Sequence, residues 1–219
     1  MKARDSARHR NRTAVRVSHS RQIRLARHRV THRENAEGGR GRGESIPGPV
    51  FMRGEGVAFH PVEEEDLEFL QKLINHPEVR RGINATQPLS MADEREWFES
   101  EDHDGFLVSA DGNPVGTIGF TDVIDTWGTA EVGYFFDPDH WGNGYATAAL
   151  ERMVAYGFEE RRFGKIWARV FAFNDASMRV LEKAGFEQEG RLRDHAFADG
   201  ERVDSLRFGL LADEWAERE

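Results

Sequence analysis

The chain has 219 residues, 38% of them hydrophobic and 32% charged, which suits one domain with an appendage; no apolar run approaches the roughly 18–20 residues of a membrane span. The absence of cysteine excludes disulfides, cysteine-ligated metals and a thiol nucleophile, and it fits a reducing, cytoplasmic setting. The net charge of −9 hides a division: residues 1–50 hold 13 Lys and Arg against 4 Asp and Glu, whereas residues 51–219 hold 17 against 35, a net −18.

Residues 1–50 are rich in Arg and His and poor in large apolar groups, so burial cannot offset their ordering entropy and a disordered tail is expected. They lack the apolar core of a secretory signal. Three readings stay open: an arm for nucleic acid, a solvated tail, or an over-long gene start whose true beginning lies near Ile46 or Met52. The −18 on the remainder argues against nucleic-acid binding by the folded domain itself. Only Lys2, Lys72, Lys165 and Lys183 are lysines, and so acid-rich a surface suggests a halophilic source, where salt screens the repulsion.

In chain order, "VAFHPV" (57–62) reads as a short edge strand ended by Pro61. Leu67, Leu70, Leu73 and Ile74 recur at helical spacing behind a run of acids, with Pro77 as the stop. Residues 80–90 show no periodicity and read as a loop. Ser90 and Asp93 form a capping box opening a helix whose Trp97 and Phe98 seek a core. "GFLVSA" (105–110) and "PVGTIGFTDV" (114–123) form a hairpin, followed by a strand at 129–137. "HWGNGYATAALERM" (140–153) then opens a helix with Ala146, Ala149, Leu150, Met153, Val154 and Gly157 along one stripe. A buried strand (165–172), a helix ending at Gly185 and two strands joined at 198–201 complete the chain. This order predicts an α+β fold: a mixed, mostly antiparallel sheet layered with about four helices, three-layer α/β/α in style.

The glycines before the 145–159 region mark either a plain turn or a backbone that something must approach closely. A helix start of this kind is an anion site, because unpaired N–H groups and the helix dipole both favour negative charge. A Walker loop fails because no Lys follows Gly142 or Gly144. A dinucleotide fingerprint fails because Thr147 stands at its third glycine position.

"AEVGYFFDPDHWGNGYATAAL", followed by "NDASMRVLEKAGF", resembles the GNAT superfamily of acetyl-CoA-dependent N-acetyltransferases, most closely its Rim-type branch, which acetylates N-terminal amines of ribosomal proteins. The resemblance covers about residues 55–215, so residues 51–219 are expected to form a GNAT domain with a splayed sheet. It implies a pyrophosphate cradle at Trp141, Gly142, Asn143, Gly144, Tyr145, Ala146 and Thr147, with Trp141 standing where the family has Gln or Arg. It also implies that the strand carrying Val132, Tyr134, Phe135 and Phe136 lies along the pantetheine arm, and that Asn174 and Ser177 contact the cofactor. Asn174 suits a plain helix N-cap equally well.

The amine must lose a proton and the leaving thiolate must gain one. The Tyr that many GNAT members use as acid is replaced by Leu181, and a Rim-type Glu position falls on Ala196. Ser177 matches the Rim-type proton donor, and its alternative role is an ordinary helix hydroxyl. Glu131 and His195 are candidate bases, against readings as a salt-bridged Glu and a solvent-facing His; relayed water is a further alternative. His140 reads as an exposed loop residue. No residues have metal-ligand spacing, so no metal is expected. Asp102, Asp104, Asp194 and Asp199 are candidates for an acidic rim that attracts a cationic amine.

The resemblance therefore implies direct acetyl transfer from acetyl-CoA to a primary amine, on a protein N-terminus or a small molecule, by a cytoplasmic protein with a homodimer as one expected assembly. The alternative is a non-catalytic CoA-binding sensor or interaction module.

Overall fold

The computed structural model describes residues 47–83, 85–99 and 104–218. The tail expectation for residues 1–50 thus falls almost wholly outside the described residues, as does Asp102.

Eight strands form one sheet: β1 (Met52–Gly54), β2 (Val57–Pro61), β3 (Asp104–Ala110), β4 (Asn113–Ile124), β5 (Thr129–Phe136), β6 (Lys165–Phe171), β7 (Glu187–Ala198) and β8 (Glu201–Leu211). Their spatial order is β1-β2-β3-β4-β5-β6-β8-β7, antiparallel throughout except for β5 with β6. Among the described residues there are six α-helices: α1 (Leu67–Asn75), α2 (Pro77–Ile83), α3 (Met91–Glu99), α4 (Tyr145–Glu159), α5 (Asp175–Lys183) and α6 (Ala212–Ala216).

The expected mixed, mostly antiparallel sheet is present, and four of the six helices are the expected ones. The corrections are local. Pro77 starts α2 rather than only stopping α1: its missing N–H is no loss at a first helical position. The segment read as a loop from residue 80 therefore begins as helix, with Val79 buried. The strand at 57–61 is not the edge, because β1 pairs outside it from Met52↔Phe59 to Gly54↔Val57.

Strand alternation separates two cores. Phe106 and Val108 of β3 join the larger cluster, which β2, β4, β5, β6 and β8 share with Ala149, Leu150, Met153 and Val154 of α4 and Leu181 of α5. Leu107, between them in sequence, packs instead with Val62, Leu67 and Leu70 on the opposite face, where Trp97 and Phe98 of α3 close the layer. Full burial of each such Leu or Phe contributes about 1.5–3 kcal/mol, which makes the three-layer arrangement the stable one. The capping box forms as read: the Ser90 N–H donates to Asp93 Oδ2 at 2.8 Å and the Asp93 N–H to Ser90 Oγ at 3.3 Å.

Candidate active site

β5 pairs with β4 from Gly116↔Phe136 to Thr121↔Glu131, yet with β6 only from Thr129↔Lys165 to Glu131↔Trp167. Beyond that point β6 stays bound to β8 as far as Phe171↔Ser205. Each strand is held on its outer flank, so the two diverge and leave a gap in the middle of the sheet. A Cβ at Gly133, in the centre of β5, would meet no atom within 4 Å, which places open space over that face of the strand.

One side-chain clasp spans the gap on each face. On the helix-α4 face, the hydroxyl of the half-buried Tyr134 lies 2.9 Å from Ser177 Oγ. Ser177 in turn donates its backbone N–H to Asn174 Oδ1 at 3.1 Å, so Asn174 is the N-cap of α5. Burial pushes the Tyr134 phenol up to about 12, and it stays protonated through neutral pH. On the other face, Arg169 donates Nε to Glu131 Oε1 at 2.8 Å and Nη2 to Oε2 at 2.9 Å. Glu131 is only 5% exposed, and burial raises its carboxyl above the ordinary value while Arg169 pulls against that shift. The Trp167 ring lies under Arg207 at 3.8 Å and Arg169 at 5.6 Å, completing the array.

After β5 the chain turns sharply into α4. Asp137 Oδ1 accepts from the Asp139 N–H at 3.1 Å, and the Trp141 indole N–H donates to the Phe136 carbonyl at 2.9 Å. Trp141, at the position where Gln or Arg was expected, thus ties the turn back to the strand it leaves. Gly142 (φ +82°) and Gly144 (φ +83°) adopt left-handed backbone, and a Cβ on either would meet nothing within 4 Å. The protein's own packing does not fill that space. Ala148 N–H to Gly144 O, 3.0 Å, is the first helical bond, leaving the N–H groups of Tyr145, Ala146 and Thr147 without an intrahelical acceptor. The first turn of α4 carries no acid, despite the acidity of the domain. The positive end of the helix is therefore uncompensated, which fits a di-anion such as pyrophosphate.

Val132 and Phe136 are core residues facing α4 and Phe135 is half-buried on the opposite face. Asn143 donates Nδ2 to the His140 carbonyl at 3.1 Å, and His140 Nδ1 sits 3.4 Å from Asp137 Oδ2. His195 is exposed within a bulge of β7 between Leu192 and Ala196, and it lines neither cavity described below.

Two of the three described candidates for an acidic rim are paired with arginines. Asp104 pairs with Arg161 beyond the end of α4 at 2.5 Å, and Asp199 pairs with Arg81 at 2.5 Å. The Asp194 N–H is bonded to Asp204 at 2.8 Å. Between α2 and the β7–β8 turn lies a cavity of about 430 Å³, with Arg80, Arg81 and Asp199 in its wall. Arg81 also stacks 4.7 Å from the Phe173 ring, joining α2 to the end of β6. Sequence reading missed Arg81, Arg169 and the pairing of Tyr134 with Ser177, because the partners stand 118, 38 and 43 residues apart.

The acetyltransferase (GNAT) domain family matches residues 57–187. The chain is similar to the SPbeta prophage-derived uncharacterized N-acetyltransferase YokL of Bacillus subtilis, 31% identical over 174 residues that cover 76% of this chain and 96% of that protein. It is also similar to "Putative ribosomal N-acetyltransferase YdaF" of Bacillus subtilis, 28% identical over 74% of this chain and 94% of the relative. Among solved structures, its fold is like that of spermidine N-acetyltransferase from Vibrio cholerae in complex with CoA and spermine. That likeness has a TM-score of 0.70 and 23% identity, and covers 74% of this chain and 98% of the other.

Proposed function

The chain belongs to the acetyltransferase (GNAT) domain family and is an acetyl-CoA-dependent N-acetyltransferase, and from that premise we propose that it moves the acetyl group directly to the N-terminal amine of a protein or peptide. The observation that carries this reading is the gap between β5 and β6, with the glycine cradle at the start of α4 beside it. When bound, acetyl-CoA supplies an activated acetyl thioester. The main-chain amides of residues 142–147 would hold its pyrophosphate, and the inner edge of β5 at Val132, Tyr134, Phe135 and Phe136 would lie along the pantetheine arm.

Ser177 is the proposed proton donor to the departing sulfur. Tyr134, protonated at neutral pH, fixes the position of its hydroxyl, and Asn174 fixes its backbone. Glu131 has both oxygens engaged by Arg169, so its proposed role is to hold the two strands at the base of the gap. The acceptor's proton then passes to water. The absence of cysteine suits direct transfer, since no thiol is available to carry an acyl group.

Support for a protein N-terminus comes from the relative named for ribosomal acetylation. A second reading, a polyamine acceptor, has the likeness to a spermidine N-acetyltransferase in its favour. The arginines in the cavity wall weigh against it. The test is thiol release from acetyl-CoA with a panel of peptide amines and spermidine. Ser177→Ala should lower kcat about 100-fold. Wild-type kcat in that variant would remove Ser177 from the reaction, and tight acetyl-CoA binding without release for any amine would favour a sensor.

A further inference from the structure

Two open cavities lie near Phe173, just past the end of β6: Phe173 lines the second, and Arg81 of the first stacks on its ring. The first, of about 430 Å³, is walled by Pro77, Arg80, Arg81, Phe197 and Asp199 among others. The second, of about 360 Å³, is walled by Phe173, Arg191, Arg202 and Asp204 among others. Together their linings contain four arginines and two aspartates, and no other ionisable side chain. Both aspartates are already paired, Asp199 with Arg81 and Asp204 with Arg191. Arg80 and Arg202 have no carboxylate partner among the described residues; Arg202 lies over the Phe197 ring at 5.8 Å.

The linings therefore keep a net +2 within residues 51–219, where acids outnumber bases 35 to 17. Indiscriminate placement of charge in such a region would give the opposite sign. The helix that carries Arg80 and Arg81 also touches the residues around the gap. A Cβ on Gly82 of α2 would stand 3.2 Å from Asn174 Nδ2, so α2 rests on the residue that caps the helix bearing Ser177.

We infer that the acceptor carries a carboxylate close to its reacting amine and that Arg80 and Arg202 read it: the substrate is a peptide N-terminus with Asp or Glu among its first few residues. This inference rests on the transferase reading given above. A guanidinium offers parallel N–H donors matched to the two oxygens of a carboxylate. An extended peptide advances roughly 3.3–3.6 Å per residue, so a side chain two or three positions after the amine lies about 7–11 Å from it, within reach of a wall beside the gap. A polyamine would instead bring ammonium groups up to two uncompensated guanidinium groups, which repel them.

The test uses the full chain, acetyl-CoA and peptides of equal length that differ only at positions 2–4, carrying Glu, Ser or Lys, with spermidine as a separate arm. For the wild type, kcat/KM should rank Glu above Ser above Lys, with about tenfold or more between Glu and Lys and the preference shrinking in high salt. In an Arg80→Glu, Arg202→Glu double variant the ranking should invert. Its melting temperature and its affinity for acetyl-CoA report separately that the fold stands. Equal turnover of all three peptides, faster turnover of spermidine, or an unchanged ranking in the folded double variant would overturn the inference while leaving an active transferase. Failure of every amine to release thiol would instead overturn the transferase reading, and this inference with it.

Discussion

Glu94 illustrates how a single side chain acquires pH dependence from its surroundings. It lies on α3 with 6% exposure, and burial, assisted by the neighbouring Asp93 charge, raises its carboxyl to about 7. The folded protein thus holds the Glu94 proton more tightly than the unfolded chain, whose value is near 4.5. The resulting stabilisation is present below pH 4.5 and is lost as pH rises through 7. Glu94→Gln removes that titration. The variant should match the wild type in thermal melts near pH 5 and exceed it by about 2–4 °C near pH 8, equivalent to about 1 kcal/mol after discounting for solvent screening. Equal melting differences at both pH values would show that Glu94 does not titrate in this range. Glu131 is buried as well, but its bidentate bond to Arg169 gives the charged form a partner that Glu94 lacks among the hydrogen bonds described.

At the scale of elements, glycine serves two different needs on α4. Gly144, at its N-cap, requires left-handed backbone and faces open space, whereas a Cβ on Gly157 would lie 2.6 Å from Ile166 Cδ1 and 2.8 Å from Phe120 Cζ. Gly157→Ala should therefore destabilise the protein by about 1–3 kcal/mol through overpacking, with little change in acetyl-CoA affinity. Gly144→Ala should cost about 1 kcal/mol in backbone strain and weaken acetyl-CoA binding by more than tenfold. Thermal melts and calorimetric titration distinguish the two, and identical behaviour would mean that the turn is not a cradle. The same contrast explains what the sequence made legible. Long periodic segments such as α4, and chemically marked ends such as Ser90 and Gly185, were readable because their signals are local. β1, α2 and α6 are three, seven and five residues long, too short for a periodic pattern to emerge. The clasps on either side of the gap were invisible for the opposite reason: each joins residues brought together only by the finished sheet.

Across the whole molecule, the −18 on residues 51–219 makes the folded region repel itself. Its melting temperature should rise by several degrees as sodium chloride increases from about 0.05 to about 1 M, because screening relieves more repulsion than it removes from exposed ion pairs. A melting temperature that falls with salt would show that local pairs such as Arg81–Asp199 outweigh the net charge. No helix among the described residues is long and apolar enough to cross a membrane.

The three-pair seam between β5 and β6 also has a mechanical meaning. Strands β1–β5 form one plate and β6–β8 another, each internally laddered, and the two are joined by those three pairs, by the Tyr134–Ser177 and Glu131–Arg169 clasps and by the core they share under α4. The width of the site is thus set by the angle at which those ties hold the two plates. Arg81, reaching from the helix that follows the first plate's opening strands to Asp199 at the tip of the second, is a tie rod across that angle.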